Sequence, residues 1–269
     1  MSAALRERSA ELRRLIMEMA LASGECHVAS ALSIADLLAV LYLDVMRDPA
    51  GRADGSPGDR LLLSKGHAAT ALYAALGLAG VLDPDRLAAE YCSDGGALAG
   101  HPERGVPGVA MSSGSLGHGP AIALGYALAD RLDGDRRRTF CVVGDGELDE
   151  GSVWEAIALA GHLRLDALAL VVDANGLQGL GTTHDVLDLA PLPPKLESFG
   201  WLVRTVDGHD HEALQAALAP AERPLCVVAH TVKGAGVDLL QDGFRAHYRS
   251  FRPEDRERVY ASLARGRAA

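Results

Sequence analysis

Aromatic side chains make up only 4% of the 269 residues, and no apolar run approaches the length of a bilayer span, about 18–20 residues. The amino terminus, MSAALRERSAELRR, carries charge where a secretory leader has its apolar core, so the expectation is a cytoplasmic protein with no membrane association. Basic charge is also scarce. With 26 Lys and Arg against 36 Asp and Glu the formal net charge is −10, and no basic block offsets it, which argues against a nucleic-acid or anionic-membrane surface. The short run Arg136-Arg137-Arg138 precedes an apolar stretch and reads as a solvated loop. Cys26, Cys92, Cys141 and Cys226 lack any paired metal or redox spacing and read as free thiols. No G-x-G-x-x-G opens a helix after a strand, which sets aside a dinucleotide site, and there is no internal repeat or low-complexity segment.

Hydrophobic residues reach 48% and charged ones 23%, enough for one large core, and the expectation is a single α/β domain over 1–269 with an amino-terminal helical segment at about 1–22. The most informative stretch is 139–181. Residues 139–143 form a short apolar run that stops at Gly144-Asp145-Gly146, and Val153, Trp154, Ile157 and Ala160 then recur at helical spacing. A second apolar run, 167–172, ends at Asp173-Ala174-Asn175-Gly176. This is a βαβ unit, and in a parallel sheet its two strand ends lie side by side. Asp145 offers a carboxylate and Asn175 an amide oxygen, both hard ligands suited to Mg²⁺ or Ca²⁺, while glycines let backbone N–H groups approach phosphate oxygens. Each turn alone is common in α/β proteins. Together they fit a diphosphate bridged by a divalent cation.

The remaining elements follow from spacing and punctuation. A helix is predicted over 4–22, ended by Ser23-Gly24, then a loop at 25–30 holding His27, then a helix capped by Ser33 and running to about 46. After a Pro/Gly/Asp loop at 48–59, a strand at 61–63 ends at Ser64-Lys65-Gly66-His67, where Lys65 reads as solvent-facing, and a helix covers 68–79. A helix near 84–91 precedes the long segment 92–113, which carries Gly100-His101-Pro102; the Gly-rich run 114–119 then opens a helix through about 132. Glu147, Asp149 and Glu150 suit a helix start. Strand 201–206, helix 211–218, strand 225–229 and a charged helix at 252–265 complete the pattern, with His162 and His184 read as helix or surface residues.

GDGELDEGSVWEA, with Asn175 thirty residues after Asp145, resembles the thiamin-diphosphate motif of transketolases. DRLLLSKGHAATALYAAL from Asp59, AGHPE from Ala99, SSGSLGHG from Ser112 and AHTVKGAG from Ala229 agree in order, so the resemblance covers nearly the whole chain. It implies a three-layer α/β/α, mostly parallel thiamin-diphosphate-binding fold, existing as the separate amino-terminal subunit of a split transketolase. The activity implied is Mg²⁺-dependent transfer of a two-carbon ketol unit from a ketose, or ketose phosphate, to an aldose or other acceptor.

The resemblance also implies site residues. Asp145, Asn175 and the Leu177 carbonyl would hold the metal; His67, Gly114, Leu116, Gly144, Gly146 and His247 would join them around the cofactor; and His27, His67, His101 and Glu150 would be catalytic, Glu150 through a carboxylate relay across a dimer. A second polypeptide would supply the pyrimidine-binding domain, most simply in an α₂β₂ assembly. Several positions depart from the family pattern. Cys26 and Ala29 replace glycines beside His27, Ser115 replaces a proline, Gly179-Leu180-Gly181 lacks an acid, and Ala246-His247-Tyr248 replaces the usual pair. The rival readings are the α subunit of a 2-oxoacid dehydrogenase, two-carbon transfer to an acyl carrier, and a non-catalytic scaffold or regulatory subunit.

Overall fold

The computed structural model describes residues 2–24, 27–49, 58–241, 249–252 and 254–266. Five parallel strands form one sheet in the order β1-β2-β3-β7-β6: β1 Arg60–Leu63, β2 Thr139–Gly144, β3 Leu168–Ala174, β6 Leu202–Asp207 and β7 Leu225–His230. A two-stranded antiparallel hairpin, β4 Leu177–Gln178 with β5 Gly181–Thr182, projects beyond β3. The α-helices are α1 Ser2–Ser23, α2 Val28–Ser33, α3 Ala35–Val40, α4 Ala69–Leu78, α5 Leu87–Glu90, α6 His118–Leu132, α7 Gly151–Leu163, α8 Thr183–Val186, α9 Leu192–Ser198, α10 His211–Ala217 and α11 Asp255–Gly266.

Strand alternation sends side chains into two cores. Phe140, Val142, Ala169, Val171 and Val227 face one layer, where Leu12 and Ile16 of α1, Leu37 of α3, Leu72 of α4 and Leu214 of α10 meet them. Cys141, Val143, Leu170, Val172 and Cys226 face the other, against Ala123 of α6, Val153 and Ile157 of α7 and Leu196 of α9. Covered on both faces, these strands have no polar side, which is why 139–143 and 167–172 read as unbroken apolar runs. Each large side chain so buried contributes about 1.5–3 kcal/mol. The expected three-layer α/β/α architecture is present. Among the described residues no helix is long and apolar enough to cross a membrane.

Several local expectations are corrected. The helix over 33–46 is instead α2, α3 and a π turn at Leu41–Val45, broken at Ile34 (φ −104°, ψ 11°). Ser33 is the last residue of α2 and caps nothing; its hydroxyl lies 2.6 Å from Asp173 Oδ2, a fully buried carboxylate that needs donors. Lys65 is not solvent-facing: it is 1% exposed and paired with Asp173. The helix near 84–91 shortens to α5. The Arg136–138 run is only partly a solvated loop, because Arg137 pairs with Asp130 at 2.5 Å and Arg138 lies over the Phe140 ring. Cys141 and Cys226 are buried free thiols and Cys92 is exposed, whereas Cys26 and most of the 48–59 loop lie outside the described residues.

A buried polar knot joins α1, α3 and the start of α10. Asp36 Oδ1 and Oδ2 accept from Arg13 Nη1 at 2.9 Å and Nη2 at 2.5 Å. Burial alone would raise the Asp36 carboxyl, but Arg13, with His209 and His211, holds it well below the ordinary carboxylate range. A depressed folded-state value means the stabilisation is present above the unfolded value, about pH 4, and is lost as pH falls through the folded one. Asp36→Asn is therefore expected to cost about 3 kcal/mol at pH 7 in urea unfolding, with the deficit shrinking as pH drops below about 4. A deficit that stays constant with acidification would show that the charge of Asp36 is not what stabilises the fold.

Candidate active site at the carboxyl edge of the sheet

Parallel register brings the ends of four strands to one edge, the position where open α/β sheets bind ligands. Leu63 pairs with Val142, Gly144 with Asp173, and Ala174 with His230, so the residues that follow β1, β2, β3 and β7 converge there. Asp145 leaves β2 and reaches the β3 turn, its Oδ2 accepting from Gly176 N at 2.6 Å and its Oδ1 from Gly146 N at 2.9 Å. The two tips expected to meet do meet.

Asp173, at 0% exposure, organises the second tip. Lys65 Nζ donates to its Oδ2 and the Thr231 hydroxyl to its Oδ1, and Asn175 Nδ2 donates to Oδ2 at 2.9 Å. An ionised carboxylate only accepts, so the amino end of Asn175 must be the one held there, and the carbonyl oxygen is thereby presented away from Asp173. That oxygen also accepts from Leu177 N at 3.1 Å. Burial alone would raise Asp173, but Lys65, Ser33 and Thr231 outweigh it and hold the carboxyl below its ordinary range.

Glu147 braces the first tip. Its Oε1 accepts from the Ser64 hydroxyl and from Gly117 N at 2.8 Å, and its Oε2 from Gly144 N at 3.1 Å. The N–H groups of Gly144 and Gly146 are thus occupied by Glu147 and Asp145 rather than open toward a phosphate, a departure from the sequence expectation. At Gly144 a Cβ would meet nothing within 4 Å, so space lies in front of the strand end. Gly117 has φ +82°, and a Cβ there would lie 2.7 Å from Glu150 Cβ, so both conformation and space require glycine at the start of α6. Glu150 is exposed at the start of α7.

Three histidines gather beside the tips. His27 precedes α2, His67 sits in the 3₁₀ turn Gly66–Ala68, and His101 lies on the long 92–113 segment. The His27 ring is 5.9 Å from that of His67 and 6.3 Å from that of His101. His67 Nε2 bonds Ser30 Oγ at 2.8 Å, and Tyr73 Oη donates to the carbonyls of Ala99 and His101 at 3.1 and 3.2 Å, which anchors the long segment. A Cβ on Gly114 would lie 3.5 Å from His101 Cδ2, placing the Gly114–Leu116 turn against this cluster, with Leu116 half-buried. The Ser113 hydroxyl is buried with no hydrogen-bond partner among the described residues, 2.5 Å from where a Gly66 Cβ would stand.

His247 lies outside the described residues. Among the described residues no group of three His, Cys, Asp or Glu could hold a metal ion, so a cation at these tips would draw oxygen from Asp145, Asn175, a backbone carbonyl and its own ligand. The donor set fits a hard cation. Burial pushes the Asp145 carboxyl up to about 6, with Asp173 adding to the effect against the Gly176 and Gly146 amides, and a divalent charge would relieve that cost. The Leu177 carbonyl accepts from Lys233 Nζ at 3.2 Å, and burial with the nearby Lys65 lowers the Lys233 ammonium to about 8. Sequence reasoning missed Lys65, Asp173, Ser30, Thr231 and Lys233. The only available signal was that each stands inside a motif or a few residues from a motif position.

Residues 6–263 match the family described as transketolase, thiamine diphosphate binding domain. The chain is 39% identical over 260 residues to a putative uncharacterized transketolase family protein, y4mO, of Sinorhizobium fredii, covering 93% of this chain and 92% of that protein. It is 37% identical over 241 residues to the 6-deoxy-6-sulfo-D-fructose transketolase subunit SqwG of a Clostridium species, covering 88% and 87% of the two chains. It is 31% identical over 240 residues to one of the apulose-4-phosphate transketolase subunits of Phocaeicola vulgatus, covering 88% and 85%. Among solved structures, transketolase from Campylobacter jejuni matches with a TM-score of 0.86 at 28% identity over 98% of this chain, which spans 43% of that longer one. The chain belongs to the transketolase family and corresponds to its amino-terminal, thiamin-diphosphate-binding portion.

Proposed function

We propose that this chain is one domain, the cofactor-anchoring subunit of a two-component transketolase, which transfers a two-carbon ketol unit once a partner subunit supplies the pyrimidine-binding half. The reading rests above all on Asp145 reaching the Asn175-Gly176 turn, where Asp173 orients the Asn175 amide, beside three clustered histidines. Similar subunits are named for a sulfonated and a phosphorylated sugar, which favours a ketose with an anionic end as donor. The assembly we favour is a cytoplasmic α₂β₂ heterotetramer.

Bound thiamin diphosphate would supply the carbanion chemistry that cleaves and forms the C–C bond. Asp145, Asn175 and the Leu177 carbonyl would hold Mg²⁺, or Ca²⁺, on the diphosphate. Lys233, which donates to that carbonyl at 3.2 Å, would have to release it and could then serve the diphosphate as a cation. The Gly114–Leu116 turn, Gly144, Gly146 and His247 would shape the rest of the cofactor pocket. His67, held by Ser30, and His27 and His101, within 6.3 Å ring to ring, would bind substrate oxygens and move protons at their ring nitrogens, since imidazole exchanges protons near neutral pH. Glu150, exposed at the start of α7, would meet the carboxylate relay of a second copy.

Purification with and without the partner chain, followed by a ketose-donor and aldehyde-acceptor screen, tests this directly. Ketol transfer is expected only from the mixture. Full activity from this chain alone would overturn the split-subunit reading, and lipoyl-domain reduction with a 2-oxoacid would redirect it to a dehydrogenase. Within the assembled enzyme, His101→Ala is expected to lower kcat by about 10²–10⁴ while leaving cofactor affinity within a few-fold. Equal losses in both would place His101 in the cofactor pocket rather than at the reacting carbons.

A further inference from the structure

Val232, in the segment that follows β7, donates its backbone N–H to His209 Nε2 at 2.8 Å. An amide N–H only donates, so Nε2 must present its lone pair, and the single proton of a neutral ring sits on Nδ1. Nδ1 lies 2.7 Å from Asp36 Oδ2, which only accepts. The two contacts therefore select the same tautomer from opposite sides of the ring. Asp36 is in turn gripped by Arg13, whose Nε also donates to the carbonyl of Ala235 at 3.2 Å, and by His211 Nε2, 3.2 Å from Oδ1. His211 is shared with the Ser9 hydroxyl at 2.8 Å.

The segment held in this way is bonded to the candidate site on both sides of Val232. Thr231 gives its hydroxyl to Asp173, and Lys233 gives Nζ to the Leu177 carbonyl. Gly234 N donates to Ala29 O at 2.9 Å, tying the same segment to α2, next to His27. Among the described residues, His209 makes no hydrogen bond or ring contact with those assigned to the metal or the reacting carbons. It holds the residue that stands between Thr231 and Lys233, which reach toward them.

We propose that His209, fixed as its Nδ1–H tautomer by Asp36, is a positioning residue that sets the 231–236 segment and through it Thr231 and Lys233 at the carboxyl edge. The consequence for cofactor affinity rests on the functional reading above; the hydrogen-bond arrangement does not. Outer-shell partners of this kind typically change affinity by about 10- to 100-fold when removed. A histidine serves here because its two ring nitrogens give a donor and an acceptor held at a fixed separation. Glutamine offers a similar donor and acceptor pair, whereas leucine offers neither.

The test uses the full chain and the variants His209→Gln and His209→Leu. Histidine ¹⁵N spectra of the unsubstituted chain are expected to show His209 protonated at Nδ1 and bare at Nε2. Amide exchange at Val232 is expected to speed up about tenfold in His209→Leu and to stay within about twofold in His209→Gln. Calorimetric Kd for thiamin diphosphate with Mg²⁺ is expected to follow the same order, about tenfold weaker in the leucine variant only. A proton on Nε2, or unchanged exchange and affinity in His209→Leu, overturns the proposal. Should His209→Leu fail to fold, retention of both quantities in His209→Gln supports the donor–acceptor role and their loss in that variant refutes it. Should the unsubstituted chain bind no thiamin diphosphate even together with its partner subunit, the functional reading fails, and the tautomer and exchange results still decide the role of His209.

Discussion

Asp145→Ala is expected to abolish Mg²⁺-dependent binding of thiamin diphosphate while leaving the chain folded. Asp145 bridges the two strand ends, accepting from Gly146 N at 2.9 Å and from Gly176 N at 2.6 Å. Burial pushes its carboxyl up to about 6, against the Gly176 and Gly146 amides and the nearby Lys65, which offset that cost only in part. Removing a group whose charge costs energy in the free chain, and which a bound cation would compensate further, costs binding far more than it costs stability. In the proposed site Asp145 would be the single anionic protein ligand, and its loss would leave two neutral oxygens, too weak to hold Mg²⁺ on a diphosphate. The expected loss exceeds about 10³-fold in Kd by calorimetry, well beyond the 10- to 100-fold of an outer-shell change. Binding of Mg²⁺ and cofactor with unchanged affinity would remove the metal assignment altogether.

The second large effect concerns Lys65 and Asp173. Lys65 is 1% exposed and Asp173 0%, and the ammonium donates also to the Ser30 carbonyl at 3.1 Å. Lys65→Met keeps the stem but strands the carboxylate, and breaking a buried pair from one side costs about 3–5 kcal/mol. For a chain of this size that corresponds to a fall of roughly 6–20 °C in Tm. In the double variant Lys65→Met, Asp173→Leu no charge is stranded, and most of the lost stability is expected to return, because paired buried ions often exchange for apolar groups at little cost. Cofactor binding is not expected to return with it. Asn175 Nδ2 would have lost its 2.9 Å acceptor, and the amide would no longer be oriented for a cation. Thermal melts by circular dichroism paired with calorimetry separate the two outcomes. A double variant that regains both stability and affinity would show that Asp173 has no part in presenting Asn175.

How much of this was legible beforehand differs by residue. Asp145 and Asn175 stand at the ends of two apolar runs, and Gly144 and Gly176 mark where those runs stop, so both positions were visible from spacing. His27 and His101 were visible only as loop residues and His67 as the residue at a strand-to-helix switch; their convergence was implied by the family resemblance and is now seen in ring separations of 5.9 and 6.3 Å. Lys65 was misread because its neighbours Ser64 and Gly66 signal a turn, and turns are ordinarily wet. Its counter-charge lies 108 positions away. Ser33 was misread as a cap because serine before an apolar run usually is one; the demand for its hydroxyl came from Asp173, 140 positions away.

The five strands of the parallel sheet and the placement of the two loop tips were determined by the amino-acid sequence itself, because a strand buried on both faces must be written as consecutive apolar residues and its exit as glycine and short polar side chains. Tertiary structure alone decided that Lys65 and Asp173 are buried as a pair, that Asp173 orients the Asn175 amide, and that Asp36 and His209 meet across 173 positions. The strength of a charge pair or a hydrogen bond depends on separation in space and on exclusion of water, and neither quantity exists along an unfolded chain.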